Sequence, residues 1–190
     1  MFRLRILIIS FASFVFSSSV FSQTKEEIDA AVNQVYSFLN QFNDSLSSAL
    51  HRQDYAGAIE MCHTVDSVFK ADKLNETFFY SYVLQNMTIA YGCIGDSLNV
   101  YSYGKQALQA WEKYKLFESD NGLDSYLNIL EYVANSCMQQ GKYEEAVEYL
   151  EKQIQITNIN KRNTESYAYS LYSLGAAYHY LLRAAESDYY

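Results

Sequence analysis

Three times along the chain a helical apolar stripe is followed, nine residues after its last member, by a small or aliphatic residue that opens a second stripe. Phe42, Leu46 and Ala49 lead to Ala58; Leu84, Met87 and Tyr91 lead to Val100; Leu130, Val133, Ala134 and Cys137 lead to Ala146. A fourth copy starts at Leu171, Leu174, Gly175 and Tyr178. A two-helix unit of this size cannot bury its apolar face alone. Recurrence of the unit therefore implies stacked neighbours that share one continuous core, and a stack of that kind is a surface for holding other molecules.

The breaks between stripes are short. Gln53-Asp54, Gly95-Asp96 and Gly141-Lys142 each interrupt the helical pattern for two residues, spaced 42 and then 46 residues apart. So short a connection forces the flanking helices to run antiparallel. Glycine past a helix end supplies the left-handed backbone that closes it, and Asp54 and Asp96 are placed to cap the second helix of each pair. Longer polar loops near 73–75, 117–121 and 157–163 separate one pair from the next. No useful run of alternating polarity is present and the chain has no proline, so the expected fold is all-α, an α-solenoid of antiparallel helix pairs with about 3.5 repeats. The expected repeats cover about 24–72, 76–116, 122–157 and an incomplete 163–190, within one domain over 23–190.

Residues 1–22 stand apart from that domain. Arg3 and Arg5 precede an apolar run from Ile6 to Phe16, followed by Val20-Phe21-Ser22 with small or moderate side chains where a signal peptidase reads. This is the pattern of a secretory signal peptide, cut between Ser22 and Gln23. The run falls short of the roughly 20 residues that span a hydrocarbon core. The expected location is extracytoplasmic, periplasmic or secreted, with no membrane insertion after cleavage. Without Arg3 and Arg5 the chain carries 12 basic against 22 acidic residues. A body that acidic repels phosphate backbones and anionic lipid surfaces, which disfavours nucleic acid and membrane partners.

The units resemble tetratricopeptide repeats, the family in which a large residue, Leu-Gly and Tyr on a first helix are followed by Ala and a large residue on a second. Leu171-x-x-Leu174-Gly175-x-x-Tyr178 carries the first-helix pattern, and Gly141-Lys142-Tyr143-Glu144-Glu145-Ala146 with Leu150 carries the turn and second helix. Gln53-Asp54-Tyr55 with Ala58 and Gly95-Asp96-Ser97 leading to Ala107 are weaker matches. The resemblance covers residues 38–190 and departs from the family in lacking its terminal proline and in repeat spacing, which is nearer the variety of about 42 residues. It implies a scaffold that binds a protein or peptide on its concave face, exported if the signal pattern is read with it. The alternative is the N-terminal sensing or interaction region of a longer signalling or effector-domain protein, truncated after residue 190. Thr88 and Ser45 stand where small or apolar residues are expected.

In such a stack the stripe one helical step beyond the core stripe points into the concave surface. Among its members are Tyr82, Gln85, Asn128, Glu131, Asn135, Tyr169, Tyr172 and His179, a lining of amides and aromatics with almost no charge. Asn and Gln can pair with an extended peptide backbone, and Tyr offers large contact area with little entropy to lose. The same stripe also reads as a solvated inner wall with structural tyrosines. Tyr91, Tyr149 and Tyr178 fall at core spacing and read as packing residues. Cys62, Cys93 and Cys137 read as buried small hydrophobes, and their spacing leaves a Cys93–Cys137 bridge open.

No catalytic, metal or cofactor pattern emerges. His51 with Asp54 and Glu60 with His63 lack a third convergent ligand. Ser102-Tyr103-Gly104-Lys105 fits a nucleophile motif by letters but sits mid-helix. The expected protein is not an enzyme and uses no cofactor.

Overall fold

The computed structural model describes residues 25–160 and 165–187, so the signal segment 1–22 lies outside the described residues. Among the described residues there are seven α-helices and no strands: α1 (Lys25–His51), α2 (Tyr55–Ala71), α3 (Phe79–Cys93), α4 (Ser97–Lys113), α5 (Asp120–Gln139), α6 (Tyr143–Ile159) and α7 (Glu165–Ser187). Short 3-10 turns at Leu74–Glu76 and Leu116–Glu118 precede α3 and α5. The chain divides into two units, 1–83 and 84–190, and α3 begins in the first and ends in the second. Within each unit helices pack on their neighbours in chain order, the arrangement of an all-α solenoid of antiparallel pairs.

In the first unit α1 buries Val35, Phe38, Leu39, Phe42, Leu46 and Ala49, a single stripe at helical spacing, and α2 answers with Ala58, Cys62, Val65 and Phe69. The turn between them closes as the spacing predicts. Asp54 N–H donates to Ala49 O at 2.9 Å across Gln53, which takes φ +58°, and Asp54 Oδ1 accepts from Gly57 N at 3.0 Å. Phe69 lies against Phe38 and Tyr80, with ring centroids 6.5 and 6.2 Å apart.

In the second unit the turns at Gly95 (φ +74°) and Gly141 (φ +71°) reverse the chain in the left-handed conformation that glycine adopts without strain. Helix α4 then lies between α3 and α5. The contact that sets this position is Gly104, where any Cβ would collide with Val133 Cγ2 of α5 and touch Thr88 Cγ2 of α3. Ala107, Ala134 and Ala146 are fully buried in this unit, as are Leu130, Val133, Leu150 and Trp111. Each such large side chain contributes about 1.5–3 kcal/mol through burial. Thr88 fits this core because its hydroxyl donates to Leu84 O at 2.8 Å, while Ser45 of the first unit is exposed.

The loops between pairs carry a repeated hydrogen bond. Tyr80 Oη donates to Asp66 Oδ1 at 2.5 Å, and Tyr126 Oη donates to Glu112 Oε1 at 2.5 Å, each tying residues 14 positions apart. Lys70 completes the first tether by donating to Asp66 Oδ2 at 2.8 Å, so this buried carboxylate is paired. At the third junction Gln153 Nε2 takes over, donating to Ser166 Oγ at 3.2 Å.

Two expectations are corrected. The stripe Leu171, Leu174, Gly175 and Tyr178 is not core: Leu171 is 45% and Tyr178 44% exposed, and nothing lies within 4 Å of a Cβ at Gly175. Helix α7 instead turns Ser170, Ser173 and Ala177 inward, because its buried side meets α6 and α5 and no described helix covers the other. Cys93 is exposed rather than buried, being the last residue of α3, while Cys62 and Cys137 are fully buried and all three thiols are free.

This packing can be tested at two glycines and at the thiols. Gly104→Ala, overpacked against a stiff valine methyl, is expected to lower unfolding free energy by about 1–3 kcal/mol. Gly175→Ala, on an open helix face, is expected to raise it by about 0.5–1 kcal/mol; urea melts compare the two, and a neutral Gly104→Ala would contradict the packing. Burial pushes the Cys62 thiol up to about 12 and Cys137 up to about 11. A disulfide reagent at mildly alkaline pH should therefore modify one thiol per native chain, Cys93, and the others only after denaturation. Two rapid equivalents would contradict the burial.

Candidate functional site

Of the eight residues the stripe singles out, the structure brings three together directly or through a shared neighbour. On α5, Glu131 and Asn135 are one helical turn apart and half-buried. Across from them on α7, Tyr169 Oη donates to Asn135 Oδ1 at 3.4 Å, and Ser166 Oγ donates to Glu131 Oε2 at 2.5 Å. Gln153 of α6 reaches the same point from below, with Nε2 3.5 Å from Glu131 Oε2. Its Oε1 is buried without a hydrogen-bond partner, an unusual state for a side chain only 2% exposed.

Around that pair the remaining members are open. Asn128 is exposed one turn before Glu131, Tyr172 is 76% exposed one turn after Tyr169, and His179 is exposed with its ring 6.0 Å from that of Tyr180. Gln85 lies half-buried at the start of the second unit. Tyr82 belongs to the first unit, half-buried, and burial together with the neighbouring Tyr36 pushes its phenol up.

Asn135 also borders a pocket of about 120 Å³ with Gly92, Gly95, Ser97, Val100, Tyr132, Ser136 and Gln139. Tyr132 forms one wall, its ring lying where a Cβ on Gly92 would have to be. Its phenol is pushed up by burial first, and by the nearby Cys93 and Glu131. Tyr132, Gly92, Gln139 and Ser166 are absent from the sequence-derived stripe. Gly92, in the last turn of α3 and distinct from the Gly95 that makes the reversal, was the available signal for a close approach.

A second polar cluster joins α4 to α6. Lys105 Nζ donates to Glu145 Oε1 at 2.9 Å, Tyr101 Oη donates to both Glu145 oxygens at 2.9 and 2.8 Å, and Lys142 Nζ sits 3.6 Å over the Tyr101 ring. Further along the same seam Lys152 pairs with Glu112 at 2.5 Å. Glu145 is paired with Lys105 and Glu112 with Lys152, so the cluster works as a fastening between second helices. In the first unit a wider groove of about 520 Å³ runs beside the α1–α2 turn, lined by Asp44, Ser48, Arg52 and Asp54 among others, with Asp54 already engaged in capping. No three His, Cys, Asp or Glu side chains converge to hold a metal among the described residues, and no described helix is long and apolar enough to cross a membrane.

No protein-family model matches this chain, and no curated protein matches it.

The α4–α6 seam has a pH signature. Burial pushes Glu112 and Glu145 up, but the hydrogen bonds from Lys152 and Tyr126 to Glu112, and from Lys105 and Tyr101 to Glu145, outweigh it and hold both below the ordinary 4.5. Carboxyls lowered on folding contribute stability that is present above that ordinary value and lost as pH falls through the lowered one. The melting temperature should therefore drop between about pH 5 and about pH 3. In a Glu112→Gln/Glu145→Gln variant that drop should be shallower. An unchanged slope would show the seam is not titrating.

Proposed function

We infer that this chain is an exported, non-enzymatic, tetratricopeptide-like scaffold that holds a protein or peptide on the concave face lined by its first helices. Three features support the reading. Within each unit helices pack on their neighbours in chain order, as in a solenoid. That face in the second unit presents Asn128, Asn135, Tyr169 and Tyr172, groups suited to a peptide backbone and to flat side chains. It is almost uncharged on a chain of net charge −8, which favours a peptide over a nucleic acid or a membrane surface.

The observation that carries most weight is the Asn135–Tyr169 pair. Its hydrogen bond is long, at 3.4 Å, so an incoming backbone amide can take over the Asn135 carbonyl at little cost. The pocket walled by Tyr132 is also lined by Asn135 and can receive a side chain from the same peptide. Export rests on the N-terminal signal pattern, and the tetratricopeptide likeness on Gly141–Leu150 and Leu171–Tyr178.

Affinity capture from the exported fraction with wild type and a Tyr169→Ala/Tyr172→Ala/Asn135→Ala variant tests the site. Recovery of the specific partner should fall by about tenfold or more, as loss of about 1.4 kcal/mol or more implies. Equal recovery of the same partner by a folded variant would remove the face from consideration.

A further inference from the structure

The carboxylates at the joints of this protein share one set of donors, and a single carboxylate departs from it. Asp66 accepts from Tyr80 and Lys70, Glu112 from Tyr126 and Lys152, and Glu145 from Tyr101 and Lys105, so each takes a hydroxyl and an ammonium. Glu131 of α5 takes a hydroxyl from α7, Ser166 Oγ donating to its Oε2 at 2.5 Å, but it enters none of the ion pairs among the described residues. The other donor there is the neutral amide of Gln153, with Nε2 3.5 Å from the same Oε2. Both contacts fall on one oxygen. Glu151, which accepts from Tyr178, also has no lysine among the described residues, but it is exposed and water solvates its charge. Glu131 is half-buried, where an unpaired carboxylate costs more.

A second acceptor at the same point is short of a donor. Gln153 Nε2 is held by Ser166 Oγ and Glu131, while Gln153 Oε1 is buried with no hydrogen-bond partner. A buried carboxamide ordinarily satisfies both ends. Here the anionic Glu131 draws the amide nitrogen to itself, and the oxygen is left over. This spot lies within the candidate face. Asn128 precedes Glu131 by one turn and Asn135 follows it by one, with Tyr169 beside Asn135. Of the eight residues assigned to that face, Glu131 alone is acidic.

We propose that the peptide held on this face carries a lysine or arginine side chain that seats on Glu131, an inference that rests on the peptide-binding reading above. The ligand then supplies the cation that Asp66, Glu112 and Glu145 receive from within the chain. An ammonium or a guanidinium brings several N–H donors, so one answers Glu131 Oε1 while another is available to Gln153 Oε1 when the Ser166 hydroxyl is displaced. Amides and tyrosines around the site recognise backbone and flat groups without regard to charge. Glu131 therefore sets the sign and the register of the bound segment. The net charge of −8 draws a cationic segment toward the chain before it docks.

The test screens a bead library of random, N-acetylated peptides against the full chain in about 0.15 M salt, which screens exposed charges beyond about 8 Å. Retained peptides should share a lysine or arginine at one position of a common motif, enriched about tenfold or more over the starting library. Glu131→Gln should still retain peptides but lose that preference, and Glu131→Lys should exchange it for aspartate or glutamate. Thermal melts confirm that both variants are folded. The inference alone is overturned if the wild-type chain selects a motif with no basic position, or a basic preference spread evenly along the peptides. It is overturned equally if the preference survives Glu131→Gln or is not exchanged by Glu131→Lys. Retention of no peptide by the wild type, or retention undiminished by Tyr169→Ala/Tyr172→Ala/Asn135→Ala, overturns the peptide-binding reading and this inference with it.

Discussion

Close approach of helices at small side chains is what the second unit depends on. Gly104 lets α4 sit between Thr88 of α3 and Val133 of α5, and Ala134 of α5 and Ala146 of α6 are small side chains that are fully buried. Helices that meet at about 8–10 Å leave no room for larger residues at the crossing. Once those points are fixed, the large side chains have defined gaps to fill. Trp111, Leu130 and Leu150 fill them with almost no exposed surface.

Polar groups act at the joints rather than in the core. Asp66–Tyr80 and Glu112–Tyr126 bridge the loops between pairs, and Lys105–Glu145 and Glu112–Lys152 fasten second helices together. Exposed single ion pairs are worth little, but here each carboxylate also accepts from a tyrosine, which raises the value of the network over its parts. Glu112 belongs to both devices, linking the loop tether to the seam. Between α5 and α7 the short Ser166–Glu131 bond, at 2.5 Å, stands beside the long Tyr169–Asn135 one, at 3.4 Å.

The helices and their turns were legible in the chain because they depend on local pattern. Gln53-Asp54, Gly95-Asp96 and Gly141-Lys142 fall at the observed reversals, and Phe42, Leu84, Leu130 and Ala146 are core as their spacing implies. The features that were not legible depend on neighbours. Gly104 looked like a chance motif, since its role appears only when Val133 is beside it. Leu171 and Tyr178 matched the core pattern, yet burial needs a covering helix that pattern alone cannot supply. Cys93 followed the helix rule and failed it at the helix end. Within the site, Glu131, Asn135 and Tyr169 were found by their stripe, whereas Ser166, Gln153 and Tyr132 reach it from other faces or elements and left no periodic trace.

The placement of α4 between two first helices is the claim from which the rest is built. Methyl-resolved nuclear Overhauser spectra report it directly. Cross-peaks from the Gly104 Hα protons to both a Val133 methyl and the Thr88 methyl are the expected result, since a Cβ on Gly104 would collide with the first and touch the second. Contact with only one of the two, or with neither, would mean that α4 does not lie between α3 and α5, and the stacked order would fail with it.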